Sequence, residues 1–136
     1  MATVLIVEDE ALIRFALADE LICEGHNVIE CCNVLEAIAA LGAHDDIDAA
    51  ITDVDMPGGL SGVDLARMLV LTKPSIPVWM TSGRDVDVSE FGDSVAFISK
   101  PYNPHIFVER LSLVGSIDAE IRSYTVGGSG PDRSRA

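Results

Sequence analysis

The chain has 136 residues, 49% hydrophobic and 23% charged, which suits one globular domain and leaves little room for a second. Its formal net charge of -13 argues against a nucleic-acid or anionic-membrane surface and implies that some acids gather where a cation can balance them. Cys23, Cys31 and Cys32 show no metal-ligand spacing, and with no leader pattern and no apolar run of the ~20 residues that span a bilayer, buried or half-buried thiols in a cytoplasmic protein are expected.

The first strand is the apolar, largely β-branched run Val4-Leu5-Ile6-Val7, ending in Glu8-Asp9-Glu10. A helix is expected over Ala11 to Glu24, with apolar residues at 12, 13, 16, 17 and 21 and Gly25 as its stop. A second strand covers Asn27 to Cys32, and Asn33 can cap a short Ala-rich helix over Val34 to Leu41. A third strand over Asp48 to Thr52 delivers Asp53 into the loop Val54-Asp55-Met56-Pro57-Gly58-Gly59. The next helix runs from Val63 to Thr72 and ends at Lys73-Pro74.

Ile76 to Thr81 forms the fourth strand, with Pro77 near its start and Trp79 as core packing. The following helix, Arg84 to Asp93, is poor, because Asp85, Val86, Asp87, Val88 and Ser89 are weak helix formers. The fifth strand spans Ser94 to Ser99 and leads to Lys100-Pro101. Pro104 opens a last helix to about Ser123. Residues 1–123 are expected to form the domain and 124–136, rich in Gly, Ser and Arg, a disordered tail. Strands alternating with helices imply an α/β fold with a parallel sheet covered on both faces.

Ligands of open parallel sheets bind beyond the carboxyl ends of the strands. The residues that follow the strands here are Glu8 and Asp9, then Asp53, then Ser82, then Lys100. Singly each has an ordinary explanation: acids complementing a helix dipole, turn formers, a solvated lysine. Gathered at one edge, three carboxylates repel unless a cation sits among them. Mg²⁺ takes oxygen ligands and suits phosphate chemistry. An Asp can be the nucleophile that forms an aspartyl phosphate, with Lys100 and Ser82 contacting phosphoryl oxygens. His26, His44 and His105 show no ligand spacing and read as ordinary loop or helix-start residues.

On Leu5-Ile6-Val7-Glu8-Asp9-Glu10, Asp53-Val54-Asp55-Met56-Pro57 with Gly62, Thr81-Ser82-Gly83 and Phe97-Ile98-Ser99-Lys100-Pro101, the chain resembles a receiver domain of a two-component response regulator, of the single-domain type, over about residues 3 to 122. The resemblance implies a flavodoxin-like doubly wound (βα)5 fold with a five-stranded parallel sheet in the order 2-1-3-4-5. It implies that Asp53 is the phosphoacceptor. It also implies that Glu8, Asp9 and Asp53, with the backbone carbonyl of Asp55, hold Mg²⁺, and that Lys100 contacts the phosphoryl group.

Counting from Pro77 makes Ser82 the switch hydroxyl, with Thr81 beside it as the alternative. Phe97 is the switch aromatic or else core packing, and the Lys100-Pro101 bond is cis. The implied role is a signalling switch, not an enzyme. The implied partners are a histidine kinase or histidine phosphotransfer protein, and a downstream protein on the face of the fourth helix, fifth strand and fifth helix. The chain would act as a monomer or weak homodimer, with no nucleic acid or membrane partner.

Two departures from the family pattern stand out. The loop through Gly58-Gly59-Leu60-Ser61 is one residue longer than the commonest family pattern, and the interval from Ser82 to Lys100 is about four residues shorter than usual, roughly one helical turn. The fourth helix is therefore expected to be short, irregular or mobile. Two other functions fit parts of the pattern. One is a phosphorylation-independent binding module or phosphate sink. The other is a haloacid dehalogenase-type phosphatase using Asp53-Val54-Asp55, for which no acidic pair follows Lys100 outside the last helix.

Overall fold

The structure, a computed structural model, describes residues 1–114. Its elements are β1 (Thr3–Val7), α1 (Ala11–Cys23), β2 (Asn27–Cys31), α2 (Val34–Ala43), β3 (Ala49–Asp53), α3 (Gly62–Thr72), β4 (Val78–Ser82), a 3₁₀ segment (Ser89–Ser94) and β5 (Val95–Ser99). A last helix, α4, begins at 105 and is described to 114. The expected extension of that helix to Ser123 and the expected tail lie outside the described residues.

The strands form one parallel sheet in the order β2-β1-β3-β4-β5, the order the resemblance implies. β1, β3 and β4 are buried along their whole length, while the edge strands β2 and β5 are only partly covered. That explains why the three central strands read as unbroken apolar runs.

Alternation along each strand divides the core in two. Leu5, Val7, Ala50, Val78 and Met80 pack against α2, α3 and the 3₁₀ segment through Val34, Ala37, Leu65, Leu69 and Phe91. Val4, Ile6, Ile51, Trp79 and Ile98 pack against α1 and α4 through Leu17, Leu21, Phe107 and Leu111. Trp79 meets Phe107 edge-to-face with centroids 6.0 Å apart, as its assignment to the core requires.

Several boundaries differ from the sequence reading by one or two residues. β3 takes in Asp53 itself, and β4 begins at Val78 and takes in Ser82. Asn33 caps α2 as expected, its side chain accepting from the Glu36 amide at 2.8 Å.

The α1 stripe is corrected. Leu17, Ala18 and Leu21 form its buried face, but Leu12 is 84% exposed and Ala16 is exposed as well. Periodicity identifies the apolar positions of a helix but not which of its turns the sheet covers. Cys23 is exposed, against the expectation of a covered thiol, while Cys31 is buried and Cys32 half-buried.

No α-helix forms between β4 and β5. The segment shrinks to the 3₁₀ turns of Ser89–Ser94, broken at Gly92, whose φ of 58° no helix permits. Weak helix formers and about one missing turn account for it. Buried Phe91 and the Arg67 fork on Glu90, at 3.1 and 3.2 Å, anchor what remains to α3.

Candidate functional site

The sheet brings Glu8, Asp9, Asp53, Ser82 and Lys100 to its carboxyl edge. Carboxylate oxygens of Glu8, Asp9 and Asp53 all lie within 4.8 Å of one another. Glu8 and Asp53 are buried and Asp9 is exposed, so the cluster opens to solvent on the Asp9 side.

Lys100, its side chain only 15% exposed, reaches between the two buried acids, with Nζ 2.8 Å from Glu8 Oε1 and 3.3 Å from Asp53 Oδ2. The Lys100-Pro101 peptide is cis, as the resemblance implies.

The two buried carboxylates are not equivalent. Glu8 takes the short bond from Lys100 and also accepts from the Glu10 amide at 3.0 Å. Asp53 is pushed up to about 6, by burial first and the Glu8 charge second, with Lys100 only partly offsetting them. Burial opposes the charge on Lys100, yet its bond to Glu8 and the Asp53 charge outweigh burial and hold it above the ordinary lysine value. Asp53 is thus a partly desolvated carboxylate short of cationic partners. Its hard oxygen donors, with those of Glu8 and Asp9, match a Mg²⁺ ion, which takes few carboxylates and keeps its waters.

The backbone around Asp53 is held from both sides. Val54 N–H donates to the Thr81 carbonyl at 2.9 Å, and Gly62 N–H donates to the Val54 carbonyl at 2.8 Å. α3 starts hard against this turn, its first residue Gly62 lying where any Cβ would collide with the Asp53 carbonyl. Ser61 and Asp64 close a reciprocal capping box there.

Thr81 and Ser82 are both buried, and Ser82 Oγ accepts from the Arg84 amide at 3.1 Å. Phe97 is half-buried against the core on the α2 and α3 side.

Sequence reasoning missed two arginines. Arg14 donates from Nη1 to the Glu8 carbonyl at 2.8 Å and from Nε to Glu30 at 3.3 Å, tying the Glu8 turn to β2. Its signal was faint: one cation a single turn into α1. Arg84 forks onto Asp55, at 2.9 and 3.3 Å, so Asp55 carries a side-chain role besides the backbone role expected of it. Nothing in the spacing pointed to that pair.

Elsewhere His105 Nδ1 meets Glu20 Oε2 at 2.8 Å with Glu24 alongside, linking α1 to α4. Donating to the Glu20 carboxylate raises the His105 pKa.

The family model for the response regulator receiver domain matches residues 4–112. The chain belongs to that family. Receiver domains are generally signalling modules rather than enzymes, and this assignment displaces the phosphatase alternative. A cyclic di-GMP phosphodiesterase of Thermotoga maritima is 33% identical over 105 residues, 74% of this chain. The chain spans only 27% of that relative's length.

Among solved structures, the receiver domain of the hybrid histidine kinase CckA is 31% identical, with a TM-score of 0.68 over 82% of this chain and 97% of its own. The response regulator TrrA of Thermotoga maritima, solved in complex with Mg²⁺-BeF, is 26% identical, with a TM-score of 0.72 over 84% and 99%. The receiver described here has no helix, among its described residues, long and apolar enough to cross a membrane.

Proposed function

We propose that this receiver accepts a phosphoryl group on Asp53 from a histidine kinase or histidine phosphotransfer protein and thereby switches a protein-binding surface in the cytoplasm. The observation that carries the reading is the convergence of Asp53 with Glu8, Asp9 and Lys100 at one sheet edge. Glu8, Asp9 and Asp53, with the Asp55 backbone carbonyl, would hold Mg²⁺, which when bound neutralises charge on phosphoryl oxygens.

In the transfer, an Asp53 carboxylate oxygen attacks phosphorus. The new P–O bond forms as the donor's P–N bond breaks, and the histidine nitrogen keeps the electron pair and takes a proton. An Asp53 pKa of about 6 leaves the carboxylate mainly ionised at neutral pH yet desolvated enough to react. Lys100 already stands 3.3 Å from Asp53 Oδ2, placed to follow charge onto the phosphoryl oxygens.

Ser82, with Thr81 as its rival, turns to donate to the phosphoryl group, and Phe97 moves with it. The arrangement with phosphate bound gains population because it binds phosphate better. The altered face is that of the 3₁₀ segment, β5 and α4, on which a downstream protein would dock. The chain acts there as a monomer or weak homodimer.

The test is phosphate incorporation from a small phosphodonor with Mg²⁺. Wild type is expected to take up one acid-stable, base-labile phosphate and Asp53→Asn none. Equal labelling of the two sinks the reading.

The kinase or phosphotransfer partner has a candidate seat beside the site. Exposed Leu12 and half-buried Ile13 of α1 face Pro101, Tyr102 and Pro104 across an apolar groove of about 570 Å³ that Lys100 and Gly83 border. Leu12→Glu is expected to slow transfer from a phosphorylated protein donor at least about tenfold, as loss of a buried apolar anchor does. Labelling by a small donor should stay unchanged. A parallel loss with both donors would place Leu12 in the chemistry or the fold instead of the docking surface.

A further inference from the structure

β4 ends at Ser82, and residues 83–88 then run without regular hydrogen bonding to the 3₁₀ segment. Side chains must hold this stretch. At its far end Phe91 is buried and Glu90 is gripped by Arg67. At its near end one residue, Arg84, makes both holding contacts. Its amide donates to Ser82 Oγ at 3.1 Å, and its guanidinium forks onto Asp55 at 2.9 and 3.3 Å.

Asp55 leaves β3 two residues after Asp53, and β3 and β4 are neighbours with Asp53 opposite Thr81. The ion pair therefore bridges the two loops that flank the phosphoacceptor. Its Arg84 end touches the proposed switch through the amide bond to Ser82 Oγ, and its Asp55 end lies two residues beyond Asp53. A Ser82 hydroxyl drawn to a phosphoryl group would leave the Arg84 amide without its acceptor and shift the loop that the ion pair holds.

We propose that Arg84 is a positioning residue whose ion pair with Asp55 straps the loop after β4 in its resting arrangement and so restrains phosphoryl binding at Asp53. This rests on the reading of Asp53 as phosphoacceptor, and it adds a regulatory contact to that site. A fork-on-fork pair has geometry that a lysine could not reproduce. It is also exposed, so the strap loosens with ionic strength.

Two measurements on the full chain test it. In the free protein, Arg84→Gln is expected to speed amide hydrogen exchange across residues 83–88 while leaving the sheet protected. Unchanged exchange there overturns the strap, whatever Asp53 does. In calorimetric titration with beryllofluoride and Mg²⁺, Arg84→Gln and Asp55→Asn should each tighten binding by about two- to five-fold, the range open to an exposed bidentate pair.

The double variant should match either single one, because each removes the same contact. The gain should shrink at high salt. Unchanged affinities, weaker binding or additive effects overturn the proposal. Failure of the wild type to bind beryllofluoride at all defeats the phosphoacceptor reading and the restraint on it together, while the exchange data still decide whether the strap exists.

Discussion

Replacing Asp53 by Asn is expected to stabilise the metal-free receiver at pH 8 by up to about 3 kcal/mol, even though it removes the proposed phosphoacceptor. The cause is the position of the carboxyl. Its ordinary value is 3.8, and in the folded protein burial and the Glu8 charge push it up to about 6. A carboxyl raised by folding favours the folded state only while it is protonated. That stability is fully present below 3.8 and is lost as pH rises through 6, so at pH 8 the native state holds an ionised Asp53 it would prefer neutral.

Asn carries no such charge, and Lys100 keeps its 2.8 Å partner in Glu8. Urea denaturation with chelator present should therefore show Asp53→Asn ahead of wild type at pH 8 and the gap closing toward pH 4.5. Millimolar Mg²⁺ should narrow the gap at pH 8 by stabilising wild type more than the variant, with an effect that weakens as protons compete below pH 6. A variant that is less stable than wild type at pH 8, or a gap that does not change with pH, would show that Asp53 carries no such strain.

That strain was half legible in the sequence. Strand ends could be read because β1, β3 and β4 are covered on both faces and so are apolar throughout, which places Glu8, Asp9, Asp53, Ser82 and Lys100 at one edge by topology alone. The weak helix after β4 was legible from Asp85 to Ser89, since local propensity acts before tertiary packing is known.

What stayed hidden depends on loop paths. Arg84 and Asp55 are 29 residues apart and meet only because two loops leave neighbouring strands in the same direction. Arg14 reaches a backbone carbonyl, which carries no sequence mark at all. The exposure of Leu12 was hidden for a different reason: a solvent-facing apolar residue and a core-facing one look alike in a helical pattern.

Among the glycines of the described residues, Gly62→Ala should be the most damaging single-methyl change. Gly62 does not have a positive φ, so the demand is for space, not for conformational freedom. A Cβ there would lie 2.9 Å from the carbonyl carbon of Asp53 and 3.0 Å from the Cα of Val54, and would overlap the Asp53 carbonyl oxygen outright. Every atom it meets is backbone of a central strand, so no side chain can rotate clear.

Either α3 backs away, straining the Gly62 bond to the Val54 carbonyl and the Ser61–Asp64 cap, or the end of β3 yields and carries Asp53 with it. Overpacking of about 1–3 kcal/mol plus a weakened cap of about 1 kcal/mol predicts a loss of roughly 2–4 kcal/mol, readable as a lower urea midpoint with an unchanged slope. A displacement of even about 1 Å at a reacting carboxylate can cost on the order of a hundredfold, so phosphate uptake should fall further than the folded fraction does.

Gly59→Ala is the matched control, a neighbouring loop glycine with ordinary φ and open space around its Cβ position, and it should be near neutral in both measurements. If Gly62→Ala unfolds at the wild-type urea concentration and takes phosphate at the wild-type rate, α3 does not press on Asp53, and the placement of the phosphoacceptor has another cause.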